Sequence, residues 1–141
     1  MADDLRTLHL QGINVIVSLL ETSEQMELGL ANEALLCGQH QIRLVEAPVP
    51  DLGVPPDLEE FLAVVAAVLA DLRSGLSVAV HCRQSVGRSG LFAATIVVAT
   101  GRALREALST VSAARGVEVP ETSGQLAWLQ QHEHRFAGLA A

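Results

Sequence analysis

Three short apolar segments rich in β-branched residues constrain the fold of this chain more than any other feature. They are Ile13–Leu20, Gln41–Val49 and Ser77–His81, and each is short enough to form a buried strand. Segments with helical patterns lie between them. Strands that alternate with helices and are apolar along their length are typical of a parallel sheet covered on both faces. The sequence therefore predicts an α/β fold with a central, mainly parallel β-sheet and helices on both faces.

The intervening segments carry apolar residues at helical spacing. The longest helix is predicted to follow Asp57, a residue suited to cap it, and to end at Gly75. A proline-rich loop, Pro48–Pro56, precedes this helix. The other helices are predicted at Asp3–Gln11, at Ser23–Gln39 with an interruption near Gly29, and at about Ser89–Thr100, Ala103–Ala114 and Glu121–Ala137.

The length and composition of the chain indicate one compact domain over residues 1–141. A chain of 141 residues, half of them apolar, is expected to bury about 70% of its extended surface on folding. Aromatic residues make up only 3% of the chain. The core is therefore predicted to consist mainly of Leu, Val and Ala.

The balance of charge and hydropathy argues against several classes of partner. All nine basic residues are arginines, and with 16 acidic residues they give a net charge of −7, a field that repels nucleic acid. The longest uncharged apolar runs, Phe61–Ala70 and Leu91–Thr100, are half the length of about 20 residues that a bilayer requires, so no membrane partner is expected. Two cysteines and an acidic N-terminus without an apolar segment favour a cytoplasmic protein with free thiols, expected to be monomeric.

The segment that follows the third predicted strand contains the candidate catalytic residues. Cys82 ends the strand, Arg88 follows after five intervening residues, and Ser89 opens the next helix. Ligands of such sheets bind beyond the carboxyl ends of the strands. We call residues Cys82–Arg88 the cradle loop, because a turn of this length into a helix N-terminus can direct successive backbone N–H groups toward one tetrahedral oxyanion.

The side chains of this segment suit the same task. Gly87 and Gly90 permit close backbone approach, and the planar fork of Arg88 can bind two oxygens of a phosphoryl group. The helix dipole and the guanidinium favour Cys82 as a nucleophile, and Ser89 can donate a hydrogen bond to its sulfur as it leaves. The alternative is that Cys82 is a core cysteine at an ordinary strand-to-helix turn. The arginine at this spacing, with its glycine and serine neighbours, favours the catalytic interpretation.

The pattern His-Cys-x5-Arg-Ser resembles the signature of the cysteine-dependent protein tyrosine and dual-specificity phosphatases. The similarity extends to Val17–Glu21, Pro48–Pro55, Ala114–Gly116 and Gln125–Leu129, which resemble the kinase-associated phosphatase (cyclin-dependent kinase inhibitor 3-like) branch and its bacterial relatives. The resemblance implies the compact dual-specificity fold. It also implies a phosphomonoesterase that hydrolyses phosphotyrosine, and in addition phosphoserine or phosphothreonine, in proteins through a phosphocysteine intermediate.

The resemblance further implies a general acid upstream of the cradle loop. The segment Pro50–Pro55, here called the acid loop, is similar to the family's Asp-x-Gly-x-Pro loop and has Asp51 in the acid position. A leaving alkoxide or phenoxide needs such a proton donor. The alternatives are that Asp51 only forms a turn, and that Asp57 is the acid, although Asp57 fits better as a helix cap. No metal or other cofactor is expected.

The backbone amides of the cradle loop are expected to hold the phosphoryl oxygens. Arg83 could also bind an acidic group of the substrate, or it could be a simple surface charge. The loop contains no lysine, whereas inositol-lipid phosphatases of the superfamily tend to carry lysines there, which argues against a phosphoinositide headgroup. The residues assigned to the binding site are Arg83, Gln84, Ser85, Val86, Gly87 and Arg88.

Three further residues have supporting roles with open alternatives. His81 is expected to satisfy backbone groups around the loop and to tune Cys82. Gln125 loosely matches a glutamine that helps to place the hydrolytic water in relatives, and the alternative is a solvated helix residue. Cys37 is either a reversible disulfide partner of Cys82 or a helix packing residue. Relatives usually carry one or two strands before the first helix, so the sheet edge of this chain is expected to be bare or differently covered.

Two other classes of function remain as alternatives to a phosphatase. One is a phospho-binding module without turnover, which has no use for Cys82, Arg88 and Asp51 together. The other is a thiol oxidoreductase or a rhodanese-like sulfur carrier. Rhodanese loops are usually one residue shorter and need no upstream acid, so the phosphatase is the favoured interpretation.

Overall fold

A computed structural model of the chain describes residues 7, 9–29, 32–83 and 87–140. The strands are β1 (Val15–Ser18), β2 (Arg43–Glu46) and β3 (Val78–His81). The helices are α1 (Thr22–Glu27), α2 (Glu33–Gln39), α3 (Leu58–Arg73), α4 (Gly87–Ala99), α5 (Leu104–Arg115) and α6 (Ser123–Ala137), followed by a short 3₁₀ helix at Gly138–Ala140. The described strands form one sheet in the order β2–β1–β3, and both pairs are parallel. The predicted α/β class with a parallel sheet is confirmed.

Helices cover both faces of the sheet. Adjacent residues of β1 point to opposite faces, and they belong to two different apolar clusters. Ile16 packs with Cys37 of α2 and with Ile42 in a small cluster on one face. Val17 belongs to the main core, which buries apolar side chains of α3, α4, α5 and α6 on the other face. The predicted coverage of both faces is therefore confirmed.

Asp57 begins α3, as the sequence predicts. Its carboxylate accepts a hydrogen bond from the backbone N–H of Glu60 at 3.1 Å, which satisfies one of the unpaired donors of the first turn. Phe61 packs edge-on against Phe92 of α4 and Trp128 of α6, with ring centroids 5.7 and 5.5 Å apart. The helix that follows the acid loop is thus fixed against both helices that flank the candidate site. Its buried face contains Phe61, Leu62, Val65, Val68 and Leu69.

Several predicted boundaries differ from the structure. β1 and β2 pair over four residues each, because the ladder is shorter than the apolar segments Ile13–Leu20 and Gln41–Val49. Beyond the ladders, Leu19, Leu20, Ala47 and Val49 are buried, whereas Asn14, Gln41 and Pro48 are exposed. Helix α4 begins at Gly87 and not at Ser89, so the end of the cradle loop already lies in the first helical turn.

The predicted helix Ser23–Gln39 is interrupted, as expected, near Gly29, which has a positive φ of 70° and separates α1 from α2. The predicted helix Asp3–Gln11 lies largely outside the described residues. No helix in the described part of the chain is long and apolar enough to cross a membrane.

Candidate active site

Cys82 directly follows β3 at the carboxyl edge of the sheet. Its side chain is buried, and its Sγ lies 3.6 Å from Oγ of Ser89, which is buried in the first turn of α4. The end of β1 meets the same edge, where the N–H of Leu19 donates to the carbonyl of His81 at 3.0 Å. Strand end, helix N-terminus and serine hydroxyl therefore converge on the sulfur, which allows Ser89 to donate a hydrogen bond to it.

The guanidinium of Arg88 is buried and bound at its outer edge. Its Nη1 and Nη2 atoms donate to the two carboxylate oxygens of Glu24 at 2.6 and 2.8 Å, and Nη1 also donates to the carbonyl of Val49 at 3.0 Å. These bonds raise the pKa of Arg88 above its ordinary value, an effect that the charges of Glu24, Cys82 and Asp51 reinforce against the cost of burial. The same contact lowers the pKa of Glu24. Arg88 is held as a permanent cation close to the sulfur.

The other edge of the Arg88 guanidinium makes no hydrogen bond with the described residues. Its Nε is buried without a hydrogen-bond partner among the described residues, and Nη2 has given only one of its two hydrogens to Glu24. A buried donor without a partner is costly. Nε and the second hydrogen of Nη2 lie on the same edge of the guanidinium, so together they can donate two hydrogen bonds to one oxyanion. The donor set of this edge fits the phosphoryl group that the sequence predicts.

Asp51 reaches the same guanidinium from the acid loop. Its side chain is 67% exposed, and Oδ1 lies 3.8 Å from Nη2 of Arg88. The N–H of Gly53 donates to the carbonyl of Pro50 at 2.9 Å, so Asp51 is presented on a tight turn. The structure therefore brings the three principal predicted residues, Cys82, Arg88 and Asp51, to one site.

Gln125 contacts the acid loop and is not solvated. The side chain is fully buried, and its amide nitrogen donates to the carbonyl of Gly53 at 3.1 Å. Its oxygen accepts from the N–H groups of Glu121 and Thr122 at 3.1 and 3.3 Å. The alternative of a solvated helix residue is wrong, because the turn before α6 folds over this amide. Both polar atoms of the side chain have protein hydrogen-bond partners, and the role in placing the hydrolytic water stays a prediction.

His81 pairs with a carboxylate that the sequence analysis missed. Its Nε2 lies 2.8 Å from Oε2 of Glu33, which is buried in the first turn of α2. The side chain of His81 therefore contacts α2, whereas the sequence predicted contacts with backbone groups around the loop. The tuning of Cys82 by His81 stays a prediction.

The two cysteines lie in different parts of the core and are both free thiols. Cys82 belongs to the main core and Cys37 to the small cluster on the opposite face of the sheet. Burial, with a contribution from the charge of Glu33, raises the pKa of Cys37 to about 11. These observations favour the packing role of Cys37 over the disulfide with Cys82.

The first variable position of the cradle loop carries an exposed ion pair. Nη1 of Arg83 lies 2.8 Å from Oε2 of Glu27, the last residue of α1. The contact with Glu27 raises the pKa of Arg83, and the charges of Glu24 and Asp51 add to the effect. Arg83 is thus near the mouth of the site. The remaining predicted binding residues, Gln84, Ser85 and Val86, lie outside the described residues.

The two glycines of the signature are needed for packing. The carboxylate of Glu121 occupies the position where a side chain of Gly87 would project, and a Cβ on Gly90 would lie 3.0 Å from the methyl groups of Val119. The segment before α6 therefore lies directly against the end of the cradle loop. The predicted close approach at Gly87 and Gly90 is confirmed.

No motif of the sequence pointed to the acidic residues near the cradle loop, namely Glu24, Glu33 and Glu121. One available signal was position, because Glu24 follows the carboxyl end of β1, and the ends of parallel strands share one edge of a sheet. In the described part of the chain, no group of three or more His, Cys, Asp or Glu side chains is arranged to hold a metal ion.

Comparisons with known proteins show the family of the chain. A model of the protein family described as "Tc-R-P: Polymorphic toxin system, DSP-PTPase phosphatase" matches residues 1–102. No curated protein sequence matches the chain.

Solved phosphatase structures share the fold. The active form of Tk-PTP is 26% identical, with a TM-score of 0.82 over 96% of this chain and 87% of that one. Kinase associated phosphatase (KAP), with its catalytic-site cysteine replaced by serine, is 21% identical, with a TM-score of 0.86 over 96% and 77% of the two chains. PTPMT1 in complex with PI(5)P is 20% identical, with a TM-score of 0.84 over 99% and 88%.

Proposed function

Because the chain belongs to the dual-specificity phosphatase family of polymorphic toxin systems, and is therefore a cysteine-dependent phosphatase, we propose that it hydrolyses phosphotyrosine in proteins, and phosphoserine or phosphothreonine as well. The reaction proceeds through a phosphocysteine on Cys82. The proposed substrates are phosphoproteins.

One observation carries this proposal: the guanidinium of Arg88 is hydrogen-bonded along one edge, and its Nε on the other edge has no described partner. Glu24 and Val49 bind one edge, and the opposite edge keeps a buried Nε without a described partner. A phosphoryl group bound to that edge would accept two parallel, charge-assisted hydrogen bonds. The same group would lie close to Cys82, whose charge contributes to the raised pKa of Arg88.

In the first step, the Cys82 thiolate attacks phosphorus opposite the leaving oxygen. A bond forms between sulfur and phosphorus while the bond between phosphorus and the leaving oxygen breaks. The Asp51 carboxyl gives its proton to that oxygen, so the product leaves as an alcohol or a phenol. Arg88 and the loop amides stabilise the charge on the other three oxygens throughout.

In the second step, water hydrolyses the phosphocysteine. The water oxygen attacks phosphorus while the Asp51 carboxylate accepts a proton from that water. The bond between sulfur and phosphorus breaks. Ser89 is placed to donate a hydrogen bond to the departing sulfur, from which it lies 3.6 Å away. Inorganic phosphate leaves, and the thiolate and the protonated acid are restored.

The exposure of the acid loop supports protein substrates of more than one kind. Asp51 is 67% exposed, and its neighbour Leu52 is also exposed, so the site is shallow on this side. A shallow site accepts phosphotyrosine and does not exclude the shorter phosphoserine and phosphothreonine. PTPMT1 has been solved with a phosphoinositide, and the missing lysines of the cradle loop argue against that substrate here.

The chemistry also supports a reducing location. Cys82 must stay a free thiolate in order to attack, and cysteine thiolates are readily oxidised. The cytoplasm keeps thiols reduced. We therefore propose that the enzyme acts in the cytoplasm.

The proposal is tested by hydrolysis of para-nitrophenyl phosphate and of a matched panel of substrates. We expect activity that vanadate inhibits and a chelator does not affect, with phosphotyrosine, phosphoserine and phosphothreonine peptides hydrolysed faster than inositol lipids. Cys82→Ser should lose turnover by at least about 10⁴-fold and still bind tungstate in calorimetry.

Each alternative has its own result in the same assays. Phosphopeptide binding without turnover by the wild-type protein would indicate a binding module. Sulfur transfer from thiosulfate to cyanide without phosphate release would indicate a sulfur carrier. Preference for inositol lipids over all peptides would contradict the proposed substrate class.

A further inference from the structure

We propose that Gln125 is a positioning residue that holds the acid loop so that Asp51 can protonate the leaving group. Gln125 and Gly53 lie 72 positions apart in the chain and meet in a hydrogen bond of 3.1 Å from the side-chain amide to the backbone carbonyl. This inference rests on the proposed role of Asp51 as general acid.

The turn that presents Asp51 needs support from outside the acid loop. The bond from Gly53 N–H to Pro50 and the positive φ of Leu52, 60°, correspond to a type II turn with Asp51 at its second position. Leucine rarely adopts this backbone conformation, which persists where surrounding structure enforces it. The contact of Gln125 with the Gly53 carbonyl is such a restraint.

Gln125 is itself held rigidly at the start of α6. Its oxygen accepts from two backbone N–H groups, those of Glu121 and Thr122, while its own backbone N–H is capped by the hydroxyl of Thr122 at 3.0 Å. These two donors determine the orientation of the amide. The NH₂ group must therefore face the carbonyl of Gly53. The acid loop is attached in this way to the capped N-terminus of α6.

The side chain of Asp51 has little else to place it. It is largely exposed, and its described ionic contact is with Nη2 of Arg88 at 3.8 Å, longer than a hydrogen bond. A general acid must lie within hydrogen-bond reach of the oxygen that it protonates. The backbone of the loop therefore has to place Asp51, and Gln125 determines where that backbone lies.

Gln125→Glu separates the two functions of the side chain. Glutamate still accepts from both N–H groups, as in a common capping box, but its carboxylate cannot donate to Gly53. We expect the Tm to fall, because the buried carboxylate faces the carbonyl of Gly53. At a temperature well below the Tm of the variant, kcat/KM for dinitrophenyl phosphate should stay within about 3-fold of wild type. For phenyl phosphate, a poor leaving group that needs the acid, kcat/KM should fall about 10-fold or more.

Two further variants make the test specific. Gln125→Met removes the donor without adding charge, and we expect the same selective loss for phenyl phosphate. Thr122→Val is the matched control, because it weakens the same cap and leaves the contact between Gln125 and Gly53 in place. Its ratio of kcat/KM for the two substrates should equal that of wild type.

A double-mutant cycle shows whether Gln125 acts through Asp51. In an Asp51→Asn background the acid is already absent, so Gln125→Glu should change phenyl phosphate hydrolysis by less than about 2-fold. Equal losses for both substrates, or the same loss with and without Asp51, would overturn the inference. If Asp51→Asn alone shows no dependence on the leaving group, the proposed role of Asp51 fails and the inference fails with it.

Discussion

Glu24 and Arg88, 64 positions apart in the chain, are joined by two hydrogen bonds of 2.6 and 2.8 Å in the interior of the protein. Glu24 lies on α1, beyond the end of β1, and Arg88 lies in the first turn of α4. The pair therefore connects two segments that leave the same edge of the sheet. It also leaves Nε of Arg88 buried without a hydrogen-bond partner among the described residues, so this arginine can serve both the fold and the proposed phosphoryl site.

Removal of the carboxylate should destabilise the protein strongly. Glu24→Ala leaves the buried Arg88 cation without its partner, and we expect the free energy of unfolding to fall by about 3 kcal/mol, measured by urea denaturation. Glu59→Ala is the control, because it breaks an exposed pair with Arg135 and should cost less than about 1 kcal/mol. Equal losses would show that burial of the Glu24 pair adds nothing to stability.

The contribution of Glu24 to stability should depend on pH in the acid range. Its pKa is lower in the folded protein than the ordinary value of 4.5, chiefly because of the hydrogen bonds from Arg88. The stabilisation is therefore complete above pH 4.5 and is lost as the pH falls through the folded pKa. The difference in unfolding free energy between wild type and Glu24→Ala should be constant near neutral pH and should shrink as the pH falls below 4.5. A difference that grows on acidification would contradict the sign.

Arg88→Lys should separate charge from geometry. Lysine keeps the positive charge, but it cannot bind Glu24 at one edge and an oxyanion at the other. We expect kcat for para-nitrophenyl phosphate to fall at least about 10³-fold and the affinity for tungstate to fall as well. Nearly normal turnover in this variant would show that the bidentate edge is not used.

The sequence predicted best those parts of the site whose residues are close together in the sequence. Cys82, Arg88 and Ser89 lie on one continuous segment, whose strand, turn and helix signals are local, and Asp57 caps its own helix. Even there, the predicted start of α4 at about Ser89 was wrong. Glycine is typical of turns, and the sequence therefore did not indicate that Gly87 is already helical.

The supporting residues could not be predicted in the same way. The contacts of Glu24 with Arg88, Glu33 with His81 and Gln125 with Gly53 join residues that are 64, 48 and 72 positions apart. Each depends on how helices pack on the sheet and on the rotamer that packing selects. A single sequence carries no periodic or motif signal for such a pair. The sequence consequently left open whether Gln125 supports the site or is exposed on its helix.

Arg83 should influence which phosphopeptides bind well. Its exposed partner Glu27 competes with any acidic group of the substrate, since the two side chains are 2.8 Å apart and 42% and 62% exposed. We expect Glu27→Gln to lower KM about 3-fold for phosphotyrosine peptides with acidic neighbours, relative to neutral peptides. Arg83→Gln should abolish this difference.

The control for that comparison is Glu59→Gln, which removes a carboxylate bound to Arg135, away from the cradle loop. It should leave the ratio of KM values for acidic and neutral peptides unchanged. If Arg83→Gln also leaves the wild-type ratio unchanged, Arg83 is a surface charge without a role in substrate choice.

The two cysteines should differ sharply in reactivity. Burial raises the pKa of Cys37 to about 11, so near neutral pH its nucleophilic thiolate is rare, and its cluster lies on the face of the sheet away from Cys82. We expect iodoacetamide to label the folded protein once, at Cys82, as identified by peptide mass spectrometry, and phosphate or vanadate to protect that site. Cys82→Ser should take no label when folded and one label in urea. Labelling of Cys37 at a similar rate in the folded protein, or a disulfide between the two cysteines after mild peroxide treatment, would contradict the packing role of Cys37.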